Sequence, residues 1–420
     1  MPIRRTLPPA AAPIYPRDIL SGLSGLRHGR QELDRFKTGL KDYFGVQHCF
    51  LVSSGRAALT LILRSLKDLK PDADQVLIPA YTCYSVPSAI VRAGLKVQPC
   101  EMDPNKLDFD YTQLSRLLLP PAKLHEPAKP NKPKQTPNPF LAIVPAHLYG
   151  IPADMDRLRS LLNDTDIAIV EDAAQAMGAR KNGKLLGTLG DASFFSLGRG
   201  KALSTVEGGI ILTNREDIAR RISSFLNKTP VYIPFELFKL IIEAVVLNLF
   251  THPTLFWLPK SLSILKLGET VYDPSFKIRR MHPFQAGMAQ NWQRRLKKFQ
   301  IIRKECAKFW SKLTEGLNTN ELSCIKHLVE SDVIRFPISI KNPSLRKWIL
   351  ELSNQKGLGI MPGYPDSIDA VPALGGFFPD KDFPVAKQYA RQIITLPVHP
   401  YVTKSDRASI SDFILKAFSK

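Results

Sequence analysis

Cysteine is scarce in this sequence. The 420 residues include five cysteines, scattered along the chain: Cys49, Cys83, Cys100, Cys306 and Cys324. Because their number is odd and no two form a CxxC pair, we expect neither a disulfide framework nor a structural zinc, and we assign no metal site. The first residues, Met1–Arg5, also lack the apolar core of a signal peptide. These absences favour a cytoplasmic protein in a reducing compartment.

Acidic residues are too few to balance the basic ones. The chain has 58 Lys and Arg against 38 Asp and Glu, a formal net charge of +20. Such a surplus favours anionic partners: phosphorylated substrates, nucleic acid or an anionic membrane surface. A solvated basic surface without a partner is an equally good interpretation. No recognisable DNA-binding helix pair lies at either end, so we expect no nucleic acid partner.

Short apolar runs alternate with helical patterns in the first half of the chain. Six runs predict strands: Gln75–Ile78, Leu95–Cys100, Phe140–Pro145, Ile167–Glu171, Ala192–Leu197 and Gly209–Thr213. Four patterns between or after them predict helices: Arg56–Leu69, Ser85–Ala93, Met155–Leu162 and Asp217–Phe225. Several strands are apolar throughout, which is typical of burial on both faces. The alternation predicts an α/β fold whose mostly parallel sheet lies between helices, with binding groups at the carboxyl ends of the strands.

Two insertions interrupt this alternation. Residues 120–139 are rich in proline and lysine and predict an exposed, partly extended loop.

From about Asn291 onward, charged helical patterns mix with short strands, which indicates a smaller α+β domain. We therefore predict a large domain at 1–290, with insertions at 120–139 and 229–272, and a small C-terminal domain at 291–420.

The second insertion contains the strongly apolar run Phe235–Phe250. Charges at Glu236, Lys239 and Glu243 form one polar stripe and leave no apolar stretch long enough to span a bilayer. A helix with so wide an apolar face either packs inside the protein or at a subunit contact, or it lies in a membrane interface. We favour packing and keep peripheral membrane contact through residues 232–266 as the alternative.

An acid and a lysine follow two of the predicted strands. Asp172 comes directly after Ile167–Glu171, and Lys201 lies in the loop after Ala192–Leu197. Pyridoxal phosphate needs such a pair, because a carboxylate must keep its ring nitrogen protonated and a lysine must form the Schiff base and move a proton. A helix cap at Asp172 and a solvated Lys201 are the structural alternatives.

A phosphate site is indicated at the predicted start of a helix. In Ser53–Leu59, a glycine among small residues lets backbone N–H groups reach a phosphate, and the helix dipole favours the anion. Arg56 can add a charge-assisted hydrogen bond, and Ser196 is placed by sequence to bind phosphate. The alternative is an ordinary capped helix start.

Taken in order, these motifs resemble those of the DegT-type sugar aminotransferases, which are fold-type I pyridoxal phosphate enzymes. The likeness runs nearly the length of the chain, through Ser53–Leu59, Ile78–Cys83, Pro145–Gly150, Val170–Ala179, Phe195–Lys201, Glu207–Gly209 and Leu396–Pro400. The resemblance implies that Lys201 is the Schiff-base lysine, that Asp172 pairs with the pyridine nitrogen and that Gln175 lies near the cofactor ring. It also implies that Ser196 and the segment Ser54, Gly55 and Arg56 bind the cofactor phosphate.

The family commonly has an aromatic residue, stacked on the cofactor, where this chain has Cys83. We expect Tyr81 or Tyr84 to substitute, and we place Cys83 and Tyr84 beside the cofactor. The resemblance further implies a homodimer with the active site at the subunit interface.

The resemblance implies an aminotransferase that moves an amino group from an amino acid, glutamate by family habit, to a keto-sugar in polysaccharide or amino-sugar biosynthesis. The basic charge suits a nucleotide-linked sugar. Sugar dehydratases of the same family replace the lysine with histidine, so Lys201 argues against that activity. Two alternatives stay open: a pyridoxal phosphate enzyme acting on a non-sugar ketone, and a non-catalytic or regulatory protein on this scaffold that docks on a membrane or polyanion.

Overall fold

The structure, a computed structural model, describes residues 5–118, 138–261, 270–317, 321–324, 331–374, 378 and 382–419. The predicted loop at 120–139 lies outside the described residues except for Asn138 and Pro139.

A seven-stranded sheet forms the centre of the larger part of the molecule. Its strands are β1 (His48–Val52), β2 (Gln75–Pro79), β3 (Lys96–Cys100), β4 (Phe140–Ile143), β5 (Ala168–Asp172), β8 (Ala192–Ser196) and β9 (Gly209–Thr213). Between β5 and β8, the strands β6 (Arg180–Lys181) and β7 (Lys184–Leu185) form a separate short hairpin. The order in the sheet is β1-β9-β8-β5-β4-β2-β3. Strands β3, β2, β4, β5 and β8 are parallel to one another, whereas β9 runs antiparallel to both β8 and β1. The predicted α/β fold is thereby confirmed.

Helices cover both faces of this sheet. The helices of the described residues up to the start of the second sheet are α1 (Pro16–His28), α2 (Arg30–Phe44), α3 (Gly55–Leu69), α4 (Ser85–Arg92), α5 (Tyr111–Leu118), α6 (Met155–Leu162), α7 (Glu216–Lys228), α8 (Pro234–Phe250), α9 (Trp257–Ser261), α10 (Pro283–Met288) and α11 (Trp292–Gly316). The apolar side chains of β2, β5 and β8 pack with α3 and α4 on one face of the sheet. Helices α5 and α6 cover part of the other face.

A smaller antiparallel sheet follows α11. Its strands are β10 (Leu322–Cys324), β11 (Phe336–Ile340), β12 (Met361–Pro362) and β13 (Ile393–Leu396), in the order β10-β11-β13-β12. The helices α12 (Pro343–Lys356), α13 (Pro384–Gln392) and α14 (Lys404–Phe418) lie beside this sheet. Its core includes Trp310 from α11 and also Tyr81 and Tyr149 from the larger part. The two parts therefore share a buried surface, and the boundary at residue 290 stays a prediction.

The N-terminal arm before α1 connects both parts. The Leu7 backbone N–H donates to the Gly357 carbonyl at 2.8 Å, and Thr6 donates to Pro253 at 2.8 Å. His399 lies 2.6 Å from the Pro8 carbonyl through Nε2. The backbone of the arm is thus held at three successive residues, Thr6, Leu7 and Pro8.

Helix α8 buries only part of its apolar surface, and many of its large apolar side chains are exposed. Glu236 pairs with Arg279 at 3.0 Å and with Lys277 at 2.8 Å, while Leu240 and Ala244 are buried. Six large apolar side chains are exposed at helical spacing: Phe235, Phe238, Ile242, Val245, Val246 and Leu249. We call these six the α8 face. Nowhere in the described ranges is a helix both long and apolar enough to cross a membrane.

Candidate active site

The topology of the sheet brings Asp172 and the lysine loop together. Asp172 is the last residue of β5, and Lys201 follows the end of the neighbouring parallel strand β8. Because the carboxyl ends of parallel strands lie at the same edge of a sheet, both side chains belong to that edge. Within the part of the chain that is described, the Lys201 amine is half-buried and has neither a hydrogen-bond nor an ion-pair partner.

Asp172 is buried and already partly satisfied. Its backbone N–H donates to the Pro145 carbonyl at 2.9 Å, and its Oδ1 accepts from the Ala174 N–H at 3.0 Å. A turn follows Asp172, with no helix for it to cap. Burial raises the pKa of this carboxyl group, and the charge of Lys201 is the largest influence that lowers it. A cation against Asp172 would favour its ionised form, which is what a protonated pyridine nitrogen supplies.

Close backbone approaches form a cradle at the start of α3. The Ser54 hydroxyl caps α3 by accepting from the Ala57 N–H at 3.2 Å. A Cβ added to Gly55 would lie 3.0 Å from the Ser196 Cβ, and one added to Gly209 would lie 2.2 Å from the Ser54 carbonyl oxygen. These contacts bring Ser54, Gly55 and Ser196 together beside first-turn N–H groups, as a phosphate site requires.

The Arg56 side chain has partners of its own. Its Nη1 lies 3.1 Å from the Asp273 carboxylate, and its guanidinium lies 4.6 Å from the centre of the Phe276 ring. Both partners lie just after the second insertion, so the chain that leaves this insertion contacts the Arg56 side chain. A phosphate contact by the Arg56 guanidinium would compete with Asp273, whereas its backbone N–H is unaffected by that pair.

Gln175 is held by two tyrosines. Its Oε1 accepts from the Tyr149 backbone N–H at 3.0 Å, and its Nε2 donates to the Tyr364 hydroxyl at 2.5 Å. Tyr149 has a φ of 58°, which is unusual for a residue other than glycine and is found preferentially at functional sites. No helix begins at Gln175 that its side chain could cap, and its place near the cofactor ring stays a prediction.

The two tyrosines expected to substitute at Cys83 lie in different surroundings. Tyr81 is buried, with its hydroxyl 3.4 Å from that of Tyr149. Tyr84 packs in the core beneath the large sheet, where burial raises its pKa to about 12 with a smaller contribution from Asp366. Cys83 is partly exposed between them. The cofactor contacts of Cys83 and Tyr84 stay predictions.

Two residues of this site were not anticipated from the sequence. Tyr364 reaches Gln175 from the smaller sheet, and the Thr82 hydroxyl is buried with no hydrogen-bond partner among the residues that the structure describes. An acid, a free lysine, a glycine cradle and an orphaned hydroxyl together fit a phosphorylated pyridine cofactor. No cluster of metal-ligand side chains occurs in the described ranges.

The sheet order and the acid and lysine at its edge define a fold-type I transferase. Comparison with known sequences narrows this class: the sequence profile of the DegT/DnrJ/EryC1/StrS aminotransferase family matches residues 20–239 and 262–414. The chain belongs to this family.

Two curated relatives illustrate the likeness. The GDP-perosamine synthase of Caulobacter vibrioides is 32% identical over 186 residues, which is 44% of this chain and 45% of the relative. The dTDP-3-amino-3,4,6-trideoxy-alpha-D-glucose transaminase of Streptomyces venezuelae is 34% identical over 197 residues, 47% of each chain. These alignments span about half the length of the relatives.

Solved structures extend the likeness in fold. PseC, a Helicobacter pylori aminotransferase involved in pseudoaminic acid biosynthesis, superposes with a TM-score of 0.76 at 16% identity, covering 99% of both chains. A putative sugar aminotransferase from Streptococcus pneumoniae gives a TM-score of 0.72 at 17% identity over 98% of both chains. At these identities the likeness establishes the fold.

Proposed function

We propose that this protein is a pyridoxal phosphate-dependent aminotransferase that moves an amino group from an amino acid, glutamate by family habit, to a keto-sugar. The observation that carries the proposal is the convergence of Asp172, an unpaired Lys201 and the Ser54–Gly55–Ser196 cradle at one edge of the large sheet. Family membership supports the reaction type, and a histidine in place of Lys201 would have favoured dehydration.

Each residue has a distinct part in this reaction. The cradle binds the cofactor phosphate, and Asp172 keeps the ring nitrogen protonated. The bound cofactor acts as an electron sink. Lys201 would hold the cofactor through its amine and would serve as the base that moves a proton at the substrate carbon.

The acceptor is proposed to be a nucleotide-linked keto-sugar of polysaccharide or amino-sugar biosynthesis. Two relatives have GDP- and dTDP-sugars in their names, and the net charge of +20 suits an anionic diphosphate. A non-sugar ketone is the competing acceptor. Comparing amine formation from a nucleotide-linked keto-sugar, its free sugar and a simple ketone would separate these substrates.

The cofactor test uses absorbance spectra of the purified chain with added pyridoxal phosphate. We expect a band near the visible edge that glutamate removes and that Lys201→Ala lacks, because Lys201 follows the carboxyl end of β8, the strand paired with β5 and Asp172. Lys347→Ala is the control, since this lysine is exposed on α12. A chain that binds no cofactor would contradict the proposal and favour the non-catalytic scaffold.

We also propose that the protein works as a homodimer in the cytoplasm. The exposed α8 face supports an association surface. The described cysteines Cys49, Cys83, Cys100 and Cys306 are free thiols, which suits a reducing compartment. Peripheral membrane contact through 232–266 is the competing use of the same face.

A further inference from the structure

The amide of Gln175 is fixed at both ends by tyrosines from different parts of the fold. Tyr149 follows β4 in the large sheet and donates its N–H to Gln175 Oε1 at 3.0 Å. Tyr364 follows β12 in the small sheet and accepts from Gln175 Nε2 at 2.5 Å. The orientation of this side chain therefore depends on both parts of the molecule being in place.

Tyr364 is itself held firmly. Its backbone N–H donates to the Tyr81 hydroxyl at 2.9 Å. Its ring lies nearly parallel to that of Tyr149, with centroids 6.1 Å apart and an interplanar angle of 17°, and it meets the Tyr81 ring edge-on at 5.5 Å. The backbone strain at Tyr149 accompanies this stacking. These contacts fix the position of the ring. Tyr364 stays partly exposed, whereas Tyr81 and Tyr149 are buried.

The surroundings of Tyr364 are those of the cofactor site. The pKa of its phenol is raised by burial first and then by Cys83, Tyr149 and Asp172. Cys83 is a small thiol and cannot cover the face of a flat ring. Tyr364, stacked on Tyr149 and hydrogen-bonded to Gln175, can offer an aromatic face to a protonated pyridine, and such contacts are favourable.

We propose that Tyr364 forms the wall of the cofactor site on the side of Cys83 and supplies the aromatic contact that the Cys83 thiol cannot make. The inference rests on the proposed function, since it requires a pyridine cofactor at Asp172. Tyr364 is a positioning residue that connects the small sheet to the cofactor through its ring, while its hydroxyl orients Gln175.

The test is a titration of the cofactor-free protein with pyridoxal phosphate, in which the quenching of protein fluorescence measures binding. Tyr364→Ala and Tyr364→Leu should weaken binding by about 3- to 10-fold, the range expected for one aromatic contact. Tyr364→Phe keeps the ring and should stay within about twofold of the unaltered chain. Adding Cys83→Phe to Tyr364→Ala should recover most of the loss, because it restores a ring on the same side.

Tyr389→Phe is the control for the tyrosine cluster. The Tyr389 hydroxyl bonds to the backbone carbonyls of Asp103 and Lys106, and its ring packs against Tyr81 at 6.0 Å. This variant should leave cofactor affinity unchanged, and thermal denaturation of each cofactor-free variant reports any loss of folding.

The inference is overturned if Tyr364→Leu binds the cofactor as tightly as the unaltered chain, or if Tyr364→Phe loses as much affinity as Tyr364→Leu. In either case Lys201-dependent binding by the unaltered chain would leave the proposed function standing. Absence of cofactor binding by the unaltered chain would instead overturn both.

Discussion

The carboxyl group of Asp172 is buried, and burial is the main cause of its raised pKa. When the pKa of a carboxyl group is raised in the folded state, the folded protein becomes less stable as the pH rises through that pKa. The reason is that burial disfavours the charged form of the group. Asp172→Asn should therefore stabilise the cofactor-free protein at neutral pH by on the order of 1 kcal/mol. Denaturant unfolding of both proteins measures the difference.

The same substitution should impair the reaction, since asparagine cannot hold the ring nitrogen protonated. We expect the stability gain to shrink at lower pH, where Asp172 is itself neutral. An Asn variant that is less stable than the unaltered chain at neutral pH would show that the charge of Lys201 and the hydrogen bond from Ala174 outweigh burial. It would also remove the electrostatic reason for assigning Asp172 to a cationic ligand.

The residues of the site differ in how far they could be anticipated. Asp172, Ser196 and Lys201 lie at or just after the ends of strands that the apolar pattern identifies, and parallel pairing of β5 and β8 brings them to one edge. Tyr364 is 189 residues from Gln175, and it follows a strand of the small sheet, whose packing against the large sheet has no signature in local sequence. Its place in the site therefore required the tertiary structure.

At the level of elements, the cradle depends on how closely β9 approaches the start of α3. A Cβ on Gly209 would lie 2.2 Å from the Ser54 carbonyl oxygen, a contact with backbone that no side-chain rotation relieves. Gly209→Ala should therefore destabilise the fold by about 1–3 kcal/mol and weaken phosphate binding. Chemical denaturation and cofactor titration measure the two effects.

Gly316→Ala is the matched control. This glycine is the last residue of α11, and a Cβ there would meet nothing within 4 Å. Alanine is the better helix former, so this variant should be neutral or slightly stabilising. Equal stability of the Gly209 and Gly316 variants would show that the cradle can open without cost, contrary to the backbone contact.

The elements themselves were largely predictable where apolar runs are continuous. The six predicted strands and four predicted helices are present, with ends shifted by up to a few residues. Strand β1 was missed, although four of the five residues in His48–Val52 are apolar, and its place is fixed by pairing with β9. Helix α8 was predicted, but its outward apolar face follows from the ion pairs of Glu236 with Lys277 and Arg279.

For the whole molecule, the α8 face predicts association of two copies. Phe238 is 61% exposed and Ile242 is 46% exposed, and large exposed apolar faces usually mark interfaces. The double substitution Phe238→Glu with Ile242→Glu should weaken self-association at least about 30-fold, because it places charges in an apolar contact. Sedimentation velocity over a range of protein concentrations would measure this change.

Ile301→Glu is the control for placing a charge on an exposed apolar side chain. Ile301 lies on α11, outside the α8 face, and is 60% exposed, so this variant should self-associate like the unaltered chain. The competing occupant is an anionic membrane, which Lys239 on α8, 68% exposed, would favour. Co-sedimentation with phosphatidylserine vesicles distinguishes the two. One outcome would contradict the dimer and assign the α8 face to lipid. In that outcome the unaltered chain is monomeric and binds vesicles, and the double substitution at Phe238 and Ile242 abolishes this binding. Equal self-association before and after the double substitution would place the dimer contact elsewhere on the molecule.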